Sequence, residues 1–318
     1  MFKNHKKLWI IVLIVVVLGV GGALSQQNKD KDKKPITDAQ GQVEAGNTNS
    51  NTNTTQAAGG AGTAAAKPAK VKETITEQVL FDVDGVKVTA KEYVEDTIWG
   101  DGIKLLVENN SDKDWTVGCE ALIINNYMIS DLFSCSVAAG KKANDTLHLS
   151  SSDLEASGID TVGQIEVYFY LSNPSTYRIE KRLDSVTIKT SEYANMDTTP
   201  NDTGKELLNK DGVRIVGKYV DENSFWGAGI LLYVENKSGK KISVHCDDLS
   251  INGFMITGYF SCTVYDQKMA IDDITLLSSE LKENGITSVD EVELKFRVTD
   301  AETYKTMFET DPIRFSTK

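Results

Sequence analysis

The sequence predicts an all-β protein: two tandem immunoglobulin-like antiparallel β-sandwiches, preceded by a single transmembrane helix and a disordered linker. Three observations carry that expectation. The later part of the chain is written twice. Within each copy the apolar residues alternate with a period of two. Ahead of the copies stand one uncharged apolar run and a polar, low-complexity stretch.

The apolar run comes first. Residues 8–24 (LWIIVLIVVVLGVGGAL) carry no charge, and as a helix they reach roughly 26 Å, close to the hydrocarbon thickness of a bilayer. Lys3, Lys6 and Lys7 lie just before the run in the tail 1–7. The positive-inside tendency therefore predicts a cytoplasmic N-terminus, an uncleaved signal anchor and an extracytoplasmic C-terminus. Lys29, Lys31, Lys33 and Lys34 on the far side oppose that orientation. The alternative is cleavage at Ala23-Leu24-Ser25 and secretion. Either way the lipid bilayer meets the chain at residues 8–24.

Residues 25–78 are expected to be a disordered linker. Asn, Thr, Gln, Gly, Ala and Lys dominate this stretch and leave almost nothing to bury. Fifty such residues span about 40 Å r.m.s., a tether holding the folded part off the membrane.

The duplication follows. Shifting the sequence by 127 aligns residues 80–191 with 207–318 without a gap, and over a third of the pairs are identical. Trp99-Gly100 matches Trp226-Gly227, Cys119 matches Cys246, and Cys135 matches Cys262. The expected division is repeat 1 at 79–191, a polar joint at 192–206 and repeat 2 at 207–318.

Inside each copy the strands read clearly. Ile103, Leu105 and Val107 point one way, as do Ile230, Leu232 and Val234; Ile165, Val167, Phe169 and Leu171 are matched by Val292, Leu294, Phe296 and Val298. One wet and one dry face marks an antiparallel sheet. Asp84-Gly85, Asp211-Gly212, Asn125-Asn126 and Asn252-Gly253 suit tight hairpins. The stretch 150–158 and its match 277–285 read as a short helix with Ser before it and Gly158 or Gly285 after it. About seven short strands at this spacing predict a sandwich; a closed barrel is the alternative.

These motifs resemble a known domain. The pattern W-G-x-G-I-x-L-x-V-E-N-x-S, then N-x-x-M-I, F-S-C, a serine-led helix and a final D-x-[IV] strand is similar to a telokin-like, immunoglobulin-like extracytoplasmic domain. That domain belongs to exported Gram-positive proteins and is mostly described as being of unknown function. The resemblance implies a β-sandwich outside the membrane and brings no catalytic residues with it.

Little in the chain suits catalysis. Of the three histidines, His5 lies in the tail, and His148 and His245 fall at non-equivalent positions. No Ser-His-Asp or Cys-His set can be assembled twice, so the chain is read as a non-enzyme without cofactor or metal; a hydrolase is a remote alternative. Asp82-Val83-Asp84-Gly85 lacks the later ligands of a calcium loop and reads as a turn. Asp247, Asp248, Asp272 and Asp273 read as a solvated face. The net charge is −12 overall, and the first 75 residues sum to +5, so the rest carries −17. Such an acidic body repels phosphate backbones, which argues against nucleic acid.

Two sets of residues remain. A hairpin centred on residue 127 would place Cys119 opposite Cys135, and Cys246 opposite Cys262, with all four thiols inward. Outside the membrane that predicts two disulfides, each adding about 3 kcal/mol; the alternative is four buried thiols. Trp99, Gly100, Trp226 and Gly227 precede the first well-patterned strand and form a candidate binding surface, set against an ordinary core-edge role. The function this predicts is a non-enzymatic, membrane-anchored surface protein whose paired modules bind or space a cell-wall glycan or surface protein. An extracytoplasmic sensor or assembly factor acting through protein partners is the alternative.

Overall fold

The computed structural model describes residues 33–38, 72–95 and 100–317. The tail 1–7, the expected anchor 8–24, linker residues 39–71 and Trp99 lie outside the described residues. Among the described residues no helix is long and apolar enough to cross a membrane.

Strands are numbered along the chain. Two short ones, β1 (Lys33–Pro35) and β2 (Thr37–Asp38), come from the N-terminal segment. Repeat 1 then folds as two sheets. The first has the order β3 (Gln78–Val83), β4 (Val86–Val94), β5 (Gly102–Asn109), β9 (Lys142–His148). The second centres on β6 (Trp115–Ile124), with β7 (Tyr127–Ile129) and β8 (Ser134–Val137) on one side. On its other side lies β10 (Gln164–Ser172), followed by β11 (Ile179–Arg182) and β12 (Val186–Lys189). Helix α1 (Ser151–Ser157) carries the chain between sheets. Because β5 pairs β9 while β6 pairs β10, the connectivity follows the B–E and C–F pairing of an immunoglobulin sandwich, with β3 added in front.

Repeat 2 reproduces each of these elements 127 residues later: β13 (Lys205–Lys210), β14 (Val213–Ser224), β15 (Gly227–Asn236), β16 (Ile242–Ile251), β17 (Phe254–Met255), β18 (Ser261–Val264), β19 (Lys268–Leu277), α2 (Ser278–Glu283), β20 (Glu291–Asp300), β21 (Thr306–Glu309) and β22 (Ile313–Ser316). Within each repeat the two sheets do not join edge to edge, so the barrel alternative is not formed.

Side-chain alternation builds the two cores. Ile103, Leu105, Val107, Phe169 and Leu171 are buried in the first, and Ile230, Leu232, Val234, Phe296 and Val298 in the second. Each is the dry face of a strand packed against the opposite sheet. The hairpins close as expected: Asn125 and Asn126 have φ 47° and 71°, the left-handed pair of a type I′ turn. Asn125 then clamps the next strand, its Nδ2 donating to Thr161 O at 2.7 Å and its Oδ1 accepting from the Gly163 and Gln164 amides at 3.0 Å. Asn252 does the same with Ser288, Asp290 and Glu291.

Three expectations change. The N-terminal segment 33–38, inside the span expected as linker, pairs with repeat 2: β1 lies along β14 and β2 along β22. Ser150 does cap α1, accepting from the Asp153 amide, but Leu277 precedes α2 and makes no side-chain cap. The acidic set Asp247, Asp248, Asp272 and Asp273 is no common solvated face. Asp247 bonds Arg297 at 2.6 Å and Asp248 bonds Lys295 at 2.8 Å. Asp272 is opposite Leu232, on the core side of its strand.

Candidate interaction surface

The cysteines do not meet as expected. All four are free thiols. In each repeat the second cysteine stands opposite a valine: Cys135 opposite Val117, and Cys262 opposite Val244. The Cys119 amide instead donates to Phe133 O at 3.3 Å. The cause is the turn. Pairing of Ile124 with Tyr127 centres the hairpin between 125 and 126, not at 127, which alone would offset the cysteines by three positions; a one-residue shift before β8 leaves them two positions out of step. Diagonal neighbours of that kind have Cα atoms about 7–8 Å apart, beyond a disulfide's ordinary span.

Each edge cysteine has an acid beside it instead. Burial, then the Asp145 carboxylate, push the Cys135 thiol up to about 11. Burial raises Cys262 further, with Asp272 hydrogen-bonded to it. Burial likewise pushes Cys246 up to about 12, and raises Cys119, whose partner is Asp131. A thiol held protonated in this way is a poor nucleophile.

The glycines of the tryptophan-glycine pairs sit in close backbone contacts. Gly100 has φ 91°, and a Cβ there would stand 2.6 Å from Leu149 O. At Gly227 a Cβ would stand 2.3 Å from Leu276 O. Only glycine allows these backbones to approach so closely. Trp226 is half-buried, edge-on to Phe225 with centroids 4.8 Å apart, and its carbonyl accepts from Ser278 N at 2.9 Å. Trp99 lies outside the described residues.

Two polar residues shared by the repeats, Asn109 and Asn236, are buried in structural roles. Asn109 and Asn236 each donate through Nδ2 to two carbonyls, Lys113 and Val137 or Lys240 and Val264, at 2.7–2.9 Å. Their Oδ1 atoms accept from Ser111 or Ser238. A shared aromatic that does face solvent is the pair Tyr177 and Tyr304, each 85% exposed with φ near +58°.

A surface that sequence reasoning missed lies where the repeats meet. The β6–β7 hairpin of repeat 1 docks on the edge of β19 away from β15: Tyr127 and Met128 run parallel to Met269 and Ala270, and Met269 N donates to Asn126 O at 2.9 Å. Tyr127 is 3% exposed, and its hydroxyl accepts from Asn201 N at 2.7 Å. Met128 packs on the core of repeat 2, while Val216, Tyr233 and Met269 of repeat 2 join the core of repeat 1. Ion pairs Lys268–Glu166 (2.6 Å) and Lys241–Glu120 (3.2 Å) flank the contact, and Tyr168 lies against Tyr265 at 4.6 Å. One sheet thus runs through both repeats.

The equivalent hairpin of repeat 2 is exposed. Phe254 and Met255, the counterparts of Tyr127 and Met128, are 48% and 65% exposed, and Tyr259 beside them is 54% exposed. The same supersecondary element is therefore a seated docking tip in one repeat and an apolar, solvent-facing tip in the other. A signal for the seated side was present in the sequence. On the outer face of repeat 2, Val216 and Met269 replace Thr89 and Lys142 of repeat 1. Such one-sided apolar substitution on a wet face marks a covered surface.

No protein-family model matches the chain, and no curated protein matches it. Among solved structures the chain is similar to the Salmonella enterica SafA pilin in complex with the SafB chaperone: 14% identity over 74% of this chain and 98% of that one, TM-score 0.22. It is also similar to the CsuC-CsuE chaperone-tip adhesion subunit pre-assembly complex of Acinetobacter baumannii, with 14% identity over 70% and 93% and TM-score 0.21. Red sea bream transglutaminase is similar at 11% identity over 73% of this chain and 29% of that one, TM-score 0.15. At these scores the likenesses carry no argument.

Proposed function

We propose that this protein is a non-enzymatic, membrane-anchored, extracytoplasmic surface or assembly protein that docks a protein partner through the β16–β17 hairpin of repeat 2. The observation that carries it is the contrast between the two hairpins: Tyr127–Met128 sits on a strand edge, and Phe254–Met255 is exposed. The partner implied by that contrast offers an unpaired strand edge with apolar side chains beside it, as β19 does. Anchoring rests on the apolar run 8–24, and the extracytoplasmic side on the lysines before it and on the resemblance to exported Gram-positive domains. Protease added to intact cells should then remove both repeats.

A photo-crosslinking residue at Phe254 in intact cells tests the docking surface. One discrete adduct with a protein is expected, lost when Met255 is also changed to Ser. The same adducts from position 304, or none from 254, would exclude it. The glycan alternative is favoured by Tyr177 and Tyr304, equally exposed in both repeats. It requires that a Tyr177→Ala, Tyr304→Ala chain lose retention on isolated cell wall.

A further inference from the structure

Residues 33–38 are far from repeat 2 in sequence, yet they complete it. Lys33, Lys34 and Pro35 pair with Asp221, Val220 and Tyr219 on one sheet. Thr37 and Asp38 pair with Ser316 and Phe315 on the other. Between them Ile36, 7% exposed, drops into the core of repeat 2 beside Leu207. Gly217 leaves the room: a Cβ there would lie 2.8 Å from Ile36 Cδ1. Polar contacts fix the register. Lys34 Nζ meets Glu222 Oε1 and Ser288 Oγ, both at 2.8 Å, and Asp290 at 3.6 Å. Thr37 Oγ1 donates to Ser316 O at 3.2 Å, and Lys205 pairs with Asp38.

Repeat 1 shows what this segment replaces. There the residues just before the first strand fill the same place: Ile75 bridges to Thr190 and packs on the core. The corresponding lead-in of repeat 2, Asp197 to Gly204 (DTTPNDTG), holds no Val, Leu, Ile, Met or aromatic side chain. It runs elsewhere, with Asn201 bound to Tyr127 and Ala156 of repeat 1. Repeat 2 therefore lacks a plug of its own, and a distant hexapeptide supplies one.

We infer that repeat 2 carries a strand-acceptor slot for an extended peptide with one aliphatic side chain, and that residues 33–38 are its resident, detachable ligand. The segment adds main-chain pairing to two sheet edges, which gives affinity, and Ile36 gives specificity. This rests in one respect on the anchored reading above. Eight residues separate Leu24 from Lys33, which reach at most about 30 Å. The attachment point after the anchor is then on β14 of repeat 2.

A labelled peptide of residues 31–40 (KDKKPITDAQ), titrated by fluorescence anisotropy against the full chain in detergent, tests the slot. The wild-type slot is filled, so the peptide should bind the Ile36→Asp chain at least tenfold more tightly than wild type. A chain with Gly-Ser repeats in place of residues 33–38 should behave like Ile36→Asp. A peptide carrying Asp at the isoleucine position should bind none of them. Equal binding to wild type and both variants, or no binding to either variant, overturns the inference. If the variants lose their folded spectrum, the peptide must restore it on refolding, and failure to do so overturns it as well. The titration does not depend on which side of the membrane the chain occupies, so it fails or succeeds independently of the protease experiment.

Discussion

Asp272 is a carboxylate placed on the core side of a strand. Burial, and then the neighbouring Asp273 charge, push it up to about 7, whereas an unfolded aspartate titrates near 3.9. Between these values the native state holds a proton that the unfolded state has released. Stability from this group therefore falls as pH rises from about 4 to about 7, and stays level above. Asp272→Asn should stabilise the full chain at pH 8 by about 1–2 kcal/mol, less than the whole shift implies because the side chain keeps some solvent contact. The gain should vanish by pH 4. Thermal melts at pH 4, 6 and 8 check it, and an equal gain at every pH would point to packing instead of charge. Tyr233 offers a second residue-level test. Its hydroxyl is buried without a hydrogen-bond partner, so Tyr233→Phe should be neutral or stabilising by up to about 1 kcal/mol. Tyr127→Phe should cost about 1 kcal/mol, because the Asn201 amide loses its acceptor. Urea titration of the two variants should give opposite or unequal signs.

The hairpin after β6 or β16 is the element that distinguishes the repeats. The turn chemistry is the same: Asn125-Asn126 and Asn252-Gly253 adopt left-handed φ throughout. What differs is whether a strand edge lies in front of the tip. Met128 reaches the core of repeat 2, so Met128→Asp would bury a carboxylate in an apolar contact. The expected outcome is release of the hairpin and proteolytic cleavage within 192–204 faster by about tenfold or more. Met255→Asp changes a solvent-facing tip and should leave that rate unchanged. Similar cleavage of the two variants would mean that the hairpins are not distinct docking states.

For the whole molecule, duplication alone suggests two independent sandwiches, but the contact between them binds the halves together. A parallel ladder joins them, their cores exchange side chains, and Lys268–Glu166 is held with both partners largely covered. The described repeats should accordingly unfold in one cooperative transition by calorimetry, and Met128→Asp should split it in two. Two transitions already in the wild type would show that the shared sheet contributes little.

Several features of this protein followed from its sequence alone. The period-two pattern put Ile103, Val167, Phe169 and their counterparts inward, because a pleated strand alternates its faces whatever it packs against. The left-handed turns at Asp84-Gly85 and Asn125-Asn126 were legible too, since few residues tolerate φ above zero. Register was not. Cys119 and Cys135 miss each other by two positions, and that offset depends on where the turn centres and on the residues between β7 and β8. Only the tertiary structure decided which outer face is covered, that Asp272 turns inward, and that Ile36 fills a place repeat 2 cannot fill from its own lead-in. Each of these joins residues distant in sequence. Local preference determines a strand and its faces, but which edge it meets is settled by the apolar surface left over once every element has packed.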